Sequence, residues 1–154
     1  ADIKWVNDIY ISDKKVCGIL TEASFNIETG KLDYAIVGIG INICYPDGGF
    51  PDNINDIATA VFDSNTDTVN KRSILIAHLL DYFMDYYENF DKKSYVDEYI
   101  KRSMLIGRRI YIVNGDDKIP VTAKEIDRDC RLKVEYEDGS EKWLSSGEVS
   151  IKIK

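Results

Sequence analysis

The sequence predicts an α+β fold, a sheet with packed helices in the first two-thirds followed by a small all-β barrel. Three observations carry this. Residues 4 to 42 hold apolar runs with alternating polarity, separated by short polar turns. Residues 57 to 104 carry apolar side chains at three- and four-residue steps. From Arg108 onward, short alternating runs are broken by turn residues about every ten positions.

The first run is Lys4 to Ile11, then a polar turn at Ser12, Asp13 and Lys14, then Lys15 to Leu20. Two alternating runs around so short a turn predict a β-hairpin. The turn Glu28-Thr29-Gly30-Lys31 predicts that a strand ending near Ile27 reverses into one starting near Lys31, which makes the first third an antiparallel meander. That last strand, Tyr34 to Asn42, contains Gly38 and Gly40. Two glycines two residues apart leave one face of a strand bare, so a ligand can lie against the backbone.

The stretch from Cys44 to Asp56 is dense in Pro, Gly, Asn and Asp, and reads as a mobile loop, either an ordinary connection or, if the preceding strand binds a ligand, a lid over it. Ile57 to Phe62 is a short helical candidate with Asp56 as its cap. Asn70 caps a longer helix from Lys71 to about Phe90, and a third helix fits Lys92 to about Ser103. The tyrosines of these helices, at helical spacing, predict a core stripe whose hydroxyls reach the surface and not a cofactor site. His78, the single histidine, lies inside the long helix with no second histidine, serine or cysteine partner nearby, and is assigned to structure.

Gly107 ends the helical region. Strands are expected over 109–113, 119–126, 132–136 and 142–144, with a final run of Val149 to Ile153 closing a barrel. The domains are therefore expected at 1–105 and 106–154, packed on each other because no Gly- or Ser-rich linker separates them.

Composition narrows the partners. With 154 residues, 44% hydrophobic and 31% charged, the chain reads as a soluble globular protein. A net charge of −7 argues against nucleic acid as the partner of this segment, because neutralising phosphates requires a basic face. No apolar run is long enough to span a bilayer. Cys17, Cys44 and Cys130 are scattered without the spacing of a zinc site or disulfide framework, which fits reduced thiols in a cytoplasmic setting. The chain starts without methionine inside a strand, and so reads as a piece cut from a longer protein, with Ala1 a cloning remnant.

Three motifs carry a resemblance. Lys4-Trp5-x-Asn7-Asp8, then Lys15-x-x-Gly18-Ile19-Leu20, then Gly38-x-Gly40-Ile41-Asn42 is similar, in order and spacing, to the motif set of the catalytic domain of biotin protein ligases. Those enzymes adenylate biotin with ATP to biotinyl-5'-AMP and pass it to a lysine of a biotin carboxyl carrier protein. The chain departs from the pattern at Val6, where the family usually has proline, and the family's arginine- and glycine-rich loop lies outside this sequence. The ending Ser145 to Ser150 resembles the tail of the SH3-like domain that follows the catalytic domain. The implied fold is the C-terminal part of a class II synthetase-like catalytic domain, a partial mixed sheet with helices, followed by an SH3-like barrel.

The resemblance assigns roles. Lys15 would bridge the biotin carboxylate and the α-phosphate; on residues alone, a lysine after a turn is ordinarily a solvated one. Asp8 would sit near the incoming carrier lysine. Gly18, Gly38 and Gly40 would contact biotin with Lys15, and Asn7, Ile41 and Asn42 would face the nucleotide. In a regular strand Asn7 and Asp8 point to opposite faces, so both can enter one pocket only where the strand bulges or ends. Mg²⁺ is expected to accompany ATP, held by phosphates and water, since no carboxylate cluster at ligand spacing is present. DNA would be contacted only through a further N-terminal domain, if the parent has one. A homodimer is expected from edge-to-edge pairing or strand exchange at the sheet edges flanking Lys4 to Ile11. The competing reading is a non-catalytic protein-interaction module built on the barrel.

Overall fold

The computed structural model describes residues 1–63 and 69–151. Among the described residues it is α+β, with two α-helices and two antiparallel sheets, and the isolated bridges are parallel. The chain divides into two compact units, residues 7–69 and residues 1–6 with 70–154.

The first unit is a three-stranded antiparallel meander of β2 (Asp8–Ile11), β3 (Lys14–Phe25) and β4 (Leu32–Ile41), preceded in the chain by β1 (Asp2–Lys4). The β2–β3 turn is two residues long. Ser12 and Asp13 both have positive φ, at 50° and 60°, the conformation whose twist matches a tight hairpin. The β3–β4 connection is held by the Asn26 side chain, whose Oδ1 accepts from the backbone of Glu28 and Thr29 at 3.0 and 2.9 Å. The expected strand from Lys4 to Ile11 is in fact two strands, interrupted by a turn at residues 5–7.

The expected helix over Ile57 to Phe62 does not form. Six residues are too few to repay helix nucleation alone, and here neighbouring strands compete for the same backbone groups. The segment lies extended along β3 and the residues after β4, with parallel bridges Lys15–Ala58 and Cys44–Phe62. The preceding segment is a series of hydrogen-bonded turns, with Gly49 donating to Pro46 and both Ile54 and Asn55 donating to Pro51.

The second unit contains α1 (Val69–Glu88), a single 3₁₀ turn (Phe90–Lys92), α2 (Tyr95–Lys101) and a five-stranded antiparallel sheet. Its strands are β5 (Arg109–Asn114), β6 (Asp117–Ile126), β7 (Leu132–Tyr136), β8 (Glu141–Leu144) and β9 (Glu148–Ile151), ordered β8-β7-β6-β5-β9. Lys152 and Ile153, the end of the expected last strand, lie outside the described residues. The turns follow the sequence. Asp127 Oδ1 accepts from the backbone of Asp129 and Arg131, and Asp138 Oδ1 accepts from Ser140.

The core of this unit is made of Trp5, Val96, Met104, Leu105, Ile110, Val121, Ala123, Ile126, Leu132, Val134 and Val149. Trp5 joins the segment before β2 to the five-stranded sheet: its indole donates to the carbonyl of Cys130 at 2.8 Å, while the Val6 carbonyl accepts from Tyr99 Oη at 3.0 Å. Burial pushes the Tyr99 phenol far above its ordinary range.

Among the described residues, the part of the expected tyrosine core stripe that lies from Ile74 to Phe90 is not buried, whereas Met104 at its far end is. Ile74, Tyr82, Phe83, Tyr86 and Phe90 are all exposed, and Leu75 and Leu79 are only partly covered. The rings stack on each other, Phe83 on Tyr87 and Phe90 on Tyr95, without a covering layer among the described residues. His78 is exposed on the same helix.

Candidate functional site

The site is built around a break and a bulge. Because β1 ends at Lys4 and β2 begins at Asp8, Asn7 sits at a turn and not in a strand, so the alternation that would separate it from Asp8 does not apply. Both line one hollow. On the facing strand, Asp8 pairs with Gly18 and Ile9 with Cys17, but Tyr10 pairs with Lys15. Val16 is therefore one residue too many, a β-bulge in β3. Lys15 and Gly18 are three residues apart and would face opposite sides of a regular strand. The bulge returns Lys15 to the side of Gly18 and Asp8, and Val16 and Cys17 are buried beside it.

Lys15 Nζ lies 2.6 Å from Asp8 Oδ1. It also lies over Gly18: a Cβ there would stand 3.2 Å from both Cε and Nζ of Lys15 and 3.5 Å from Asp8 Oδ1. With the lysine side chain 44% exposed and the aspartate 16%, the pair opens onto solvent on the lysine side, so an incoming anion can reach the ammonium.

Two adjoining hollows meet at Lys15, Gly18 and Gly40. The first, about 510 Å³, adds Asn7, Asp8, Gly38 and the backbone around Ile19, Leu20 and Ile39. The second, about 410 Å³, adds Tyr10, Cys17, Ile41, Asn42 and the apolar Ile54, Ile57 and Ala58. Both volumes are those of small-molecule sites. The glycine floor is open. A Cβ on Gly38 would meet only the Leu20 carbonyl, at 3.6 Å, and one on Gly40 only the Gly18 carbonyl, at 3.8 Å. Protein packing does not require glycine at either position, and neither has positive φ.

Of the sequence candidates, Lys15, Asp8, Gly18, Gly38 and Gly40 come together in the first hollow, and Ile41 and Asn42 line the second. Asn7 opens onto the first hollow and not the second, with its amide donating to the Ile19 carbonyl. Asn42 directs its amide to the Thr59 carbonyl at 3.0 Å. Burial raises the Cys17 thiol, and Asp8 raises it further against the opposing effect of Lys15. Tyr10 is raised by burial and by Asp8. Among the described residues no group of three or more His, Cys, Asp or Glu side chains could hold a metal ion.

Two family models match the chain. Residues 1–42 match the biotin/lipoate A/B protein ligase family, and residues 105–152 match the biotin protein ligase C-terminal domain. Over these two stretches the chain is similar to biotin protein ligases. It is 38% identical to the bifunctional ligase/repressor BirA of Bacillus subtilis (strain 168) over 58% of its own length and 26% of that protein. To BirA of Escherichia coli (strain K12) it is 25% identical, over 97% of its length and 46% of that protein. The chain thus spans half or less of these curated relatives. A biotin protein ligase from Aquifex aeolicus solved in complex with biotin and ATP superposes with a TM-score of 0.73 at 26% identity, covering 99% of this chain and 62% of that one. Its apo form gives 0.74.

Sequence reasoning missed the bulge at Val16 and the strap from Ile57 to Phe62. The loop itself was legible, but an extended strap and a helix share the same apolar content over six residues. Tyr10, Cys17, Tyr45 and Thr59 carried no motif signal.

Proposed function

We propose that this chain carries the adenylation site of a biotin protein ligase, which joins biotin to AMP from ATP and then transfers biotin to a lysine of a biotin carboxyl carrier protein. The matches to the two family models support the ligase, and the complex of the Aquifex relative with biotin and ATP supports the two substrates. The observation that carries the site assignment is the Lys15 ammonium, held beside Asp8 over the bare Gly18, Gly38 and Gly40 floor.

In the first step a biotin carboxylate oxygen attacks the α-phosphorus and pyrophosphate leaves. Two anions converge, and Lys15 neutralises them where the two hollows meet. Biotin would occupy the glycine-floored hollow of Gly18, Gly38 and Gly40, and the nucleotide the apolar hollow beside Ile41 and Asn42. Asn7 would serve at the mouth of the first hollow, next to the reacting carboxylate. In the second step the amine of the carrier lysine attacks the biotinyl carbonyl and AMP leaves. Asp8, released from Lys15 once that ammonium turns to the acyl phosphate, would orient the amine and take its proton. The phosphates and water would hold Mg²⁺, since among the described residues Asp8 is the one carboxylate lining either hollow.

Residues 1–105 would form the C-terminal portion of the catalytic domain and 106–154 the SH3-like domain. A second copy of the chain could pair along β4, whose Leu32, Tyr34, Ile36 and Val37 are exposed. With a net charge of −7, this segment does not suit DNA contact, which would need a further domain if the protein has one, and the chemistry suits a cytoplasmic enzyme. No described helix is long and apolar enough to cross a membrane.

The test is pyrophosphate release from biotin and ATP by the full-length polypeptide that carries this sequence. Lys15→Ala is expected to abolish it, and unchanged turnover would reject the assignment.

A further inference from the structure

Resting on the adenylation reading above, we propose that Thr59 is a positioning residue that ties the Cys44–Asp56 loop to the placement of Lys15. Three bonds converge on it. Its backbone N–H donates to the Lys15 carbonyl at 2.9 Å, its carbonyl accepts the Asn42 side-chain amide at 3.0 Å, and its hydroxyl pairs with Tyr45 Oη at 2.8 Å. The Lys15 N–H is held in turn by the Ile57 carbonyl at 2.8 Å, so the strap grips both backbone groups of that residue. Lys15 stands next to the bulged Val16, where the ladder to β2 is interrupted and no longer fixes the backbone unaided. The strap supplies the missing constraint. Tyr45, packed at 5.3 Å on Phe50 of the same loop, joins the loop to the strap through one hydroxyl contact. When the loop is seated, Thr59 is seated, and with it the strand that aims the ammonium.

The contact is separable from the fold, because Thr59→Val and Tyr45→Phe each remove one hydroxyl and keep the shape. Adenylation is measured in the full-length polypeptide for both variants, their double variant, Thr59→Ser and Lys15→Ala. Each single variant is expected to lower kcat about fivefold with KM for biotin unchanged, since the glycine floor is untouched. The double variant falls no further than the weaker single, and Thr59→Ser restores wild-type turnover. Wild-type kcat in Tyr45→Phe, or losses that multiply in the double variant, would overturn the coupling. If Thr59→Val fails to fold, Tyr45→Phe alone decides by the same criterion. Should Lys15→Ala retain full turnover, the adenylation reading fails and this inference with it. If Lys15→Ala is inactive while Tyr45→Phe is unaffected, only the role of Thr59 is lost.

Discussion

Replacing Gly40 with alanine should move stability and ligand binding in opposite directions. The added Cβ would meet one atom within 4 Å, the Gly18 carbonyl at 3.8 Å, which is ordinary van der Waals contact. The position lies in β4 without positive φ, so alanine adopts the same backbone. Narrowing the unfolded ensemble should then stabilise the chain by roughly 0.4–1 kcal/mol. For a chain of this length that is a rise of about 1–4 °C in Tm. The same methyl projects into the wall shared by both hollows. If biotin or the nucleotide lies against that wall, the methyl overpacks the site, at a cost of about 1–3 kcal/mol. This corresponds to a loss of about five- to 150-fold in affinity. Thermal melts and isothermal titration with biotin and with ATP, on one preparation of the full-length polypeptide, measure both effects. A variant that is more stable and binds both ligands as tightly as the parent would refute the claim that the glycine floor exists for the ligand.

Gly18→Ala should act through Lys15, because its Cβ would stand 3.2 Å from the lysine Cε and Nζ and the flexible side chain must give way. Adenylation kcat is expected to fall at least about tenfold with little change in Tm, a shift of about 1.4 kcal/mol in the barrier; stopped-flow pyrophosphate release checks this. Cys17 has a raised thiol pKa, from burial first and then from Asp8, so its thiolate fraction at neutral pH is smaller than that of an ordinary cysteine. Alkylation of the folded protein at pH 7.5 should therefore be slower at Cys17 than at a free cysteine, with the rate rising only at pH values above the usual thiol range. Peptide mapping after timed iodoacetamide treatment would report it.

Much of this arrangement was legible in the residues. Alternation from Lys15 to Leu20 and from Tyr34 to Ile41 marks two strands, and the twin glycines mark a bare face. The Asp-Gly and Asp-Arg-Asp turns place the later strands within a residue or two. The bulge was not legible, because Lys15 and Gly18 share a face only through the pairing of Tyr10 with Lys15, a long-range register that no local pattern encodes. A second bulge, between Ala123 and Glu125, does the same for the core: it lets Ala123 and Ile126, three residues apart, both be buried. The helical stripe failed for a different reason. Periodicity shows which face of α1 is apolar, but not what covers it, and among the described residues Tyr82, Phe83 and Tyr86 remain exposed. The strap failed because six residues with β-branched and alanine positions satisfy either a turn of helix or an extended run, and the choice is made by backbone partners at Lys15 and Asn42.

The most direct measurement is a crystal structure of the full-length polypeptide with a non-hydrolysable biotinyl-adenylate analogue. The account expects the Lys15 ammonium to leave Asp8 and lie within hydrogen-bond distance of the bridging acyl-phosphate oxygens, with the biotin ring over Gly38 and Gly40. An ammonium still on Asp8, with the analogue bound away from that floor, would contradict it.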